Sequence, residues 1–246
     1  MDYTIDILFP GFSGKMNDCA LGWGTWALIR GSGSNILLDT GGVGLRVSFD
    51  KILERYKLKR SDINYVFLSH LHFDHACNVD LLPSATFILS EEEWKYANDL
   101  EHRDLYIQES AIIPLRNSKI QFVKQDNQEI LPGITAIFTP GHTPGSISFV
   151  IHRENQEKWV LASDAAKNRG ELKTREVQMT LDPIATRKSI ERIVNLGNRV
   201  LPGHDGWIRI GKEGEILPEG ENDKTLLFAQ GVTVNGGMTS ITLHMD

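Results

Sequence analysis

The sequence predicts a single domain of the α/β (α+β) class, and two observations carry this prediction. Short apolar, β-prone runs recur along the 246 residues, each ending in a turn-forming residue followed by an acid or a histidine. Helix-start and helix-stop signals lie between these runs, and no long linker interrupts them. We therefore expect one domain over residues 1–246, with a β-rich C-terminal extension after about residue 205.

Five apolar runs predict strands whose ends deliver polar side chains. Each run is followed directly by an acid or a histidine: Asn35–Leu38 by Asp39, Asn64–Ser69 by His70, Ile134–Gly141 by His142, Trp159–Ser163 by Asp164, and Arg199–Gly203 by His204. In sheets covered by helices, ligands gather at the carboxyl ends of strands. We expect these five ends to converge on one cleft.

Three segments between the strands predict helices. Ser90-Glu-Glu-Glu93 is typical of a capping box ahead of a helix over Trp94–Leu105. Asp182-Pro183 starts a helix that runs to Asn195, with Gly197 as its cap. A third helix is expected over Val47–Tyr56.

The chain after His204 predicts β-hairpins. Its apolar runs are Trp207–Ile210, Thr225–Ala229 and Ser240–His244, and Asn235-Gly-Gly237 forms a turn signal between the last two. The predicted order therefore has strands at both ends of the chain and helices between them.

Composition excludes several classes of protein. The formal charge of −6 disfavours nucleic acid as a partner, and no apolar stretch is long enough to span a membrane. Met1–Pro10 carries two aspartates and lacks the layout of a secretory signal. The two cysteines, Cys19 and Cys77, are too few for a disulfide framework and fit a reducing compartment. We expect a cytoplasmic protein.

Three of the eight histidines fall within six residues, in His70-Leu-His72-Phe-Asp74-His75. On an extended segment, His70 and His72 share one face, and a following turn redirects Asp74 and His75. Imidazole and carboxylate ligands suit zinc, iron or manganese. Surface histidines in a polar loop are the alternative, but this density and spacing favour metal ligands.

Further ligands follow the later strands. His142 and His204 each come directly after Pro-Gly, and Asp164 comes after Ser163, so each is expected on a tight turn beyond a strand. His102, His152 and His244 match no motif, and core or surface positions are expected for all three.

In this order of motifs the chain resembles the metallo-β-lactamase superfamily. The family pattern H-x-H-x-D-H, followed by a His, an Asp and a last His, is matched over Asp39–His204, about two thirds of the chain. The resemblance implies a four-layer αββα sandwich of two packed sheets. It also implies two divalent metal ions, zinc first, with iron or manganese as alternatives.

The resemblance assigns a role to each ligand. His70, His72 and His142 would bind one metal ion, and Asp74, His75 and His204 would bind the second. Asp164 would bridge the two ions. Asp39, in Leu37-Leu-Asp-Thr-Gly41, matches the family's first acidic motif and would support the ligand loop without binding metal, although Asp-x-Gly is also common in turns.

Two positions bear on the substrate. Asp164 stands where the best-known zinc β-lactamases carry cysteine, which argues against antibiotic hydrolysis. The chain is similar to acyl-homoserine lactonases in size and ligand set, but those enzymes place a tyrosine three residues after the bridging Asp, where this chain has Lys167. Lys167 could stabilise an oxyanion or bind an anionic group of the substrate, with a solvated lysine as the alternative.

The resulting hypothesis is a hydrolase of a small-molecule ester, lactone or thioester. A metal-bridging hydroxide would attack the carbonyl, with Asp74 orienting it. The alternatives are a phosphodiesterase or nuclease, which a basic groove near His204 would favour, and a noncatalytic metal-binding protein. A homodimer is a further hypothesis about the assembly of the protein. Six aromatic residues are candidates for an apolar pocket wall, with positions in the core as the commoner alternative: Phe9, Phe12, Trp23, Trp26, Trp94 and Tyr96.

Overall fold

A computed structural model describes residues 2–21, 23–101, 103–220, 223–232 and 238–244. Most of its strands form two large sheets. The first sheet holds, in spatial order, β1 (Thr4–Phe9), β2 (Trp26–Gly31), β3 (Ser34–Leu38), β4 (Tyr65–Phe67), β5 (Thr86–Ser90) and β6 (Lys119–Val123). The second holds, in reverse spatial order, β7 (Gln128–Leu131), β8 (Ile134–Phe138), β9 (Ile147–His152), β10 (Lys158–Ser163), β11 (Arg199–Pro202), β12 (Ile208–Ile210) and β13 (Ile216–Pro218).

Helices cover the outer faces of both sheets. The α-helices are α1 (Phe49–Arg55), α2 (Phe73–Ala76), α3 (Glu91–Ala97), α4 (Glu109–Arg116), α5 (Arg169–Thr174) and α6 (Pro183–Leu196). Short 3₁₀ turns cover Val43–Ser48, Arg60–Asp62 and Val79–Leu81. The strands β14 (Lys224–Leu227) and β15 (Ser240–Leu243) pair as a separate antiparallel ribbon.

Three apolar cores separate four layers. Because side chains alternate along a strand, Leu28 and Leu37 face a core shared with α1 and α4, whereas their neighbours Ile29 and Ile36 face the opposite sheet. A third core joins the outer face of the second sheet to α5 and α6, through residues such as Ile190. The order of layers is helices, sheet, sheet, helices, which confirms the predicted αββα sandwich.

The central core fixes the two sheets against each other. Phe67 on β4 stacks on Phe149 on β9, with ring centroids 4.6 Å apart. Both rings are fully buried. Offset aromatic pairs of this kind add about 0.5–1.5 kcal/mol beyond the burial of their area. The strand ends that flank this contact are thereby held in one place.

All five predicted strands are present, as β3, β4, β8, β10 and β11. In the first sheet β3 and β4 are parallel. In the second sheet β10 and β11 are parallel, while β9 runs antiparallel between β8 and β10. The carboxyl ends of β8, β10 and β11 therefore lie at the same edge of their sheet, as the sequence predicted.

Of the predicted helices, α6 agrees at both ends, because Asp182 accepts hydrogen bonds from the backbone N–H groups of Ile184 and Ala185 and Gly197 ends it. The predicted helix Val47–Tyr56 begins later, at Phe49, after a 3₁₀ turn. The helix predicted over Trp94–Leu105 is too long, since α3 ends at Ala97.

The early end of α3 has a local cause. The carboxylate of Asp99 accepts a hydrogen bond from the N–H of Glu101, and that of Asp104 accepts one from the N–H of Tyr106. Such side-chain bonds compete with helical backbone bonds and favour turns. The segment after Ala97 therefore folds into a loop that returns toward His72.

The C-terminal strands were predicted in the right places, and β12, β14 and β15 correspond to the three apolar runs. The Asn235-Gly-Gly237 turn and His102 lie outside the described residues. Within the described part of the chain, no helix is long and apolar enough to cross a membrane.

Candidate metal centre

The ligand loop leaves β4 and enters α2. His70 and His72 lie on the extended part, and Asp74 and His75 belong to the single turn of α2. All four are buried. The loop therefore has the predicted form, in which His70 and His72 lie on extended backbone and a turn separates them from Asp74 and His75.

The ligand atoms lie close together in three groups, and the group His70, His75 and Asp164 connects the other two, which are called clusters. The first cluster is His70, His72 and His142, and the second cluster is Asp74, His75 and His204; within each, the ligand atoms lie within 4.8 Å of one another. In the first cluster, Nδ1 of His72 lies 2.9 Å from Nε2 of His142. In the second, Oδ2 of Asp74 lies 3.6 Å from Nε2 of His204.

Asp164 lies between the clusters. Its Oδ2 is 3.3 Å from Nε2 of His142 in the first cluster and 3.2 Å from Nε2 of His204 in the second. Its Oδ1 is 3.2 Å from Nε2 of His75. One carboxylate thus touches both clusters, which is the arrangement that a bridging ligand requires.

The approach of Asp164 to His204 depends on the backbone. Ser163, at the end of β10, has a φ of 46°, a left-handed conformation that costs a residue with a Cβ about 1–3 kcal/mol. A Cβ on Gly203 would lie 1.9 Å from Oδ1 of Asp164. Glycine at this position therefore lets the ends of β10 and β11 come close enough for the two ligands to meet.

Asp39 supports the second cluster from the interior. One carboxylate oxygen accepts from Nδ1 of His75 at 2.8 Å, and the other accepts from the N–H of Ser69 at 2.9 Å. The Asp39 backbone is left-handed, with a φ of 56°. His204, in the same cluster, directs its Nδ1 to the carbonyl of Trp23 at 3.0 Å. Asp39 therefore orients a ligand without facing the centre itself.

In the first cluster, Nδ1 of His70 lies 3.0 Å from the Ser69 hydroxyl, which donates to Asp39, but the other two histidines take their supports from elsewhere. Nε2 of His72 lies 3.0 Å from Asp104, whose carboxylate also accepts a hydrogen bond from the Tyr96 hydroxyl at 2.7 Å. Nδ1 of His142 lies 3.1 Å from the carbonyl of Met179. Partners of this kind fix the tautomer and orientation of ligating imidazoles. Sequence reasoning missed Asp104, because the segment that carries it was predicted as helix.

Glu93 joins the two loops that carry the first cluster. Ser90 caps α3 as predicted, but the Glu93 carboxylate does not complete a capping box. It instead accepts from the N–H of Leu71 at 2.9 Å and from the Thr143 hydroxyl at 2.6 Å, and burial raises its pKa. A Cβ on Gly145 would lie 2.0 Å from the Glu93 nitrogen, so the loop packs directly on the start of α3.

Burial and the contacts among these side chains determine the pKa shifts of the histidines. Burial lowers the pKa of His70 well below its usual range, and it lowers the pKa of His142 to about 3. Burial also opposes protonation of His75, but Asp74 and Asp164 outweigh it and raise its pKa well above the usual value. Histidines held neutral by burial are good metal ligands, since metal binds the unprotonated imidazole.

The donor set fits metal ions. Nε2 of His70 is buried and has no hydrogen-bond partner, although it lies among three other imidazoles. Nε2 of His75 and Oδ1 of Asp164 face each other at 3.2 Å without the alignment of a hydrogen bond. A buried polar atom without a partner costs about 1–3 kcal/mol, and a cation at this point would remove that cost.

A cleft of about 990 Å³ opens onto both clusters. Its rim carries exposed apolar side chains, with exposed fractions of 81% for Leu105, 53% for Met179 and 59% for Leu181. Among the described residues, Tyr96 is the one candidate pocket aromatic that lines the cleft. The other five do not line it, and Trp26, for example, takes the alternative position in the core, where it is buried against Phe49.

Lys167 lines the same cleft. Its ammonium lies 3.0 Å from Oε1 of Glu171, and its carbonyl accepts from the N–H of His204 at 2.7 Å. The side chain is 11% exposed, so the alternative of a fully solvated lysine is wrong. By contrast, His152 and His244 are exposed at the surface, where they contact Thr135 and Asp223.

Comparison with known proteins agrees with this architecture. The family model for the metallo-beta-lactamase superfamily matches residues 23–204, a span that contains every residue of both clusters and Asp164. The chain belongs to the metallo-beta-lactamase superfamily. Together with the two clusters, membership of this superfamily supports a divalent metal centre at the floor of the cleft.

One relative in sequence and two structural neighbours illustrate the range. An N-acyl homoserine lactonase of Bacillus thuringiensis is 31% identical over 172 residues, which are 68% of this chain and 65% of the relative's length. A probable metal-dependent hydrolase from Staphylococcus aureus shares the fold with a TM-score of 0.73 at 19% identity, covering 89% of this chain and 97% of that one. AidC, a dizinc quorum-quenching lactonase, gives a TM-score of 0.66 at 21% identity, covering 82% and 81%.

Proposed function

We propose that the protein is a metal-dependent hydrolase of small-molecule esters, lactones or thioesters. The observation that carries this proposal is the pair of ligand clusters joined by Asp164 at the floor of a cleft with an apolar rim. Relatives named N-acyl homoserine lactonases make lactones the first substrates to test. An apolar rim suits an acyl group beside the scissile carbonyl.

The proposed site holds two divalent ions. The first cluster would bind one ion and the second cluster the other, with Asp164 shared between them. Five imidazoles and two carboxylates favour zinc, with iron or manganese as alternatives. When bound, such ions supply a Lewis acid for the carbonyl oxygen and lower the pKa of a water molecule toward neutrality.

Two side chains of the cleft would act on the reacting groups. Asp74 is buried and lines the cleft, so its carboxylate can orient the attacking water and hold a proton for the leaving group. Lys167 lines the cleft beside Asp164 and His204, and its buried ammonium, which makes no aligned hydrogen bond to a described residue, would donate one to a substrate carbonyl that reaches it. In this role Lys167 would do what the resemblance to the lactonases assigns to tyrosine at this position of the sequence.

The cleft does not favour the phosphodiesterase alternative. Acidic side chains outnumber basic ones among its described lining residues, so the basic groove that would attract a polyanion is not formed there. A noncatalytic metal-binding role is also less consistent with an open cleft above both clusters. We retain the single domain, the cytoplasmic location and a homodimer as predictions, the last to be tested by size-exclusion chromatography.

The test combines metal analysis with a substrate panel. Protein loaded with zinc, iron or manganese is assayed on a γ-lactone with an acyl side chain, an aryl ester, a thioester and a bis(aryl) phosphodiester. We expect two ions per chain and turnover of carbonyl substrates that chelation abolishes. Turnover of the phosphodiester alone would overturn the proposed substrate class. Two bound ions without metal-dependent turnover would favour the noncatalytic alternative.

A further inference from the structure

Lys167 and Glu171 form an ion pair inside the cleft. Both residues line it, and the two side chains are only 11% and 7% exposed. The ammonium nitrogen is itself buried and lies 3.0 Å from Oε1 of Glu171, without the alignment of a hydrogen bond. Any substrate that reaches Lys167 therefore meets an ammonium group that is already paired with a carboxylate.

Local structure holds Glu171 in this position. Its Oε2 accepts a hydrogen bond from the N–H of Lys167 at 2.8 Å, and its own N–H donates to Oδ1 of Asn168 at 3.1 Å, the cap of α5. Oε1 of Glu171 also accepts from the N–H of Gln178 at 3.5 Å, so both carboxylate oxygens have backbone donors, and moving this buried group aside would leave a charge unpaired, which is costly. The pair is thus a permanent feature of the cleft wall.

The remaining cations of the cleft do not replace Lys167. Arg103 is exposed and lies 3.3 Å from Glu109. Lys15 is exposed at the mouth. Among the described lining residues, Lys167 is the buried cation, and its charge is balanced by Glu171.

We infer that Glu171 determines specificity for substrate charge, an inference that rests on the proposed function. By balancing Lys167, Glu171 selects substrates that are uncharged beside the scissile carbonyl and discriminates against a carboxylate or phosphate at that point. Lys167 then acts as a hydrogen-bond donor to a neutral carbonyl oxygen, and not as an anchor for an anion. A balanced pair still donates a hydrogen bond but gives no net attraction to an anion at a distance.

Equilibrium binding of two matched probes tests this inference. The probes are 4-hexyloxybenzoate, an anion, and 4-hexyloxybenzamide, which is neutral and of the same size; neither contains an ester. Their Kd values are measured by calorimetry on the metal-loaded wild type and on Glu171→Gln, Lys167→Met and the double variant. Glutamine retains an oxygen that can accept from the N–H of Lys167, so Glu171→Gln removes mainly the charge.

We expect Glu171→Gln to bind the benzoate about tenfold more tightly and the benzamide unchanged, because the ammonium becomes unbalanced. Lys167→Met should weaken binding of the benzoate relative to binding of the benzamide. The double variant should restore the wild-type ratio of the two Kd values. An unchanged ratio in Glu171→Gln would overturn the inference. If that variant does not fold, an unchanged ratio in Lys167→Met would do the same.

The binding test is separate from turnover. A protein that shows the expected ratios but hydrolyses no carbonyl substrate would leave the charge selection standing and overturn the proposed function. Metal analysis of each variant provides the control, since a loss of metal would alter benzoate binding for another reason.

Discussion

The two ligand clusters are held mostly by different parts of the molecule, with His70 as the exception, because it contacts the Ser69 hydroxyl that donates to Asp39. The second cluster is supported by Asp39, which is 1% exposed, and by a backbone carbonyl just before β2. The first cluster depends partly on the cleft rim, through Asp104 and the carbonyl of Met179. One half of the centre is therefore built into the sheet framework, and the other half is tied to the loops that would contact substrate.

This difference indicates how the centre can vary. Loops tolerate sequence change far better than buried strand ends, so the rim can change the cleft wall and the first cluster together. The second cluster would stay constant because Asp39 also fixes Ser69 at the end of β4. Metal affinity at the first cluster and substrate preference should therefore be coupled.

Asp164→Ala should have the largest effect, because this side chain touches both clusters. We expect kcat to fall by about a thousandfold or more and metal content to fall below two ions per chain. Elemental analysis and steady-state kinetics measure the two effects. Cys77→Ala is the matched control, since Cys77 is half-buried and does not line the cleft. Equal losses in both variants would show that Asp164 is not a shared ligand.

Lys167→Ala changes the cleft wall without removing a ligand of either cluster. If Lys167 donates a hydrogen bond to developing charge, kcat should fall about a hundredfold while metal content stays intact. A rise in KM alone would indicate ground-state binding instead. Wild-type kcat and KM would remove Lys167 from the proposed machinery.

Asp39→Asn tests the interior support. We expect affinity for the second ion to fall by about 10- to 100-fold, since a partner of a ligating histidine is weakened. The thermal unfolding temperature should fall as well, because the buried Asp39 carboxylate also holds Ser69. Competition with a chelator measures the first effect and calorimetry the second. A variant that loses stability but keeps its metal affinity would contradict the proposed role.

Asp104→Asn tests the rim support and should have a smaller effect. We expect affinity for the first ion to fall by about tenfold, with little change in unfolding temperature, because Asp104 lies in a loop. Tyr96→Phe is the control, since it removes a single hydrogen bond to Asp104 and leaves the contact with His72. If Asp104→Asn lowered the affinity for both ions equally, the contrast between the clusters would fail.

The ligands and the sheet framework were predictable because their signals are local. Four of the seven ligands directly follow an apolar run, the other three lie in the same short motif as His70, and each of the five runs is a strand. Asp39 was also recognisable from its motif.

The supports of the first cluster were not predictable, because they depend on contacts between residues that are far apart in the sequence. Nothing near Asp104 in the sequence indicates that its loop returns to His72, a contact across 32 residues. The pairing of Lys167 with Glu171 left a weak signal, since Asn168 and Glu171 have the spacing of a helix cap and its third residue. Whether such a short helix forms is decided by packing, which one sequence does not reveal.

Glu93 ties the opening of one loop to that of another. Its buried carboxylate accepts hydrogen bonds from the Leu71 amide and the Thr143 hydroxyl, which flank His70, His72 and His142. The Leu71 amide proton can exchange with solvent only when its hydrogen bond to the Glu93 carboxylate breaks. Loss of this carboxylate from its position would also break the bond to Thr143, so both loops would open together. We therefore expect the Leu71 amide to be among the slowest of the domain to take up deuterium. Glu93 would thus hold the histidines of the first cluster in position through its bonds to Leu71 and Thr143, without a hydrogen bond to any of them.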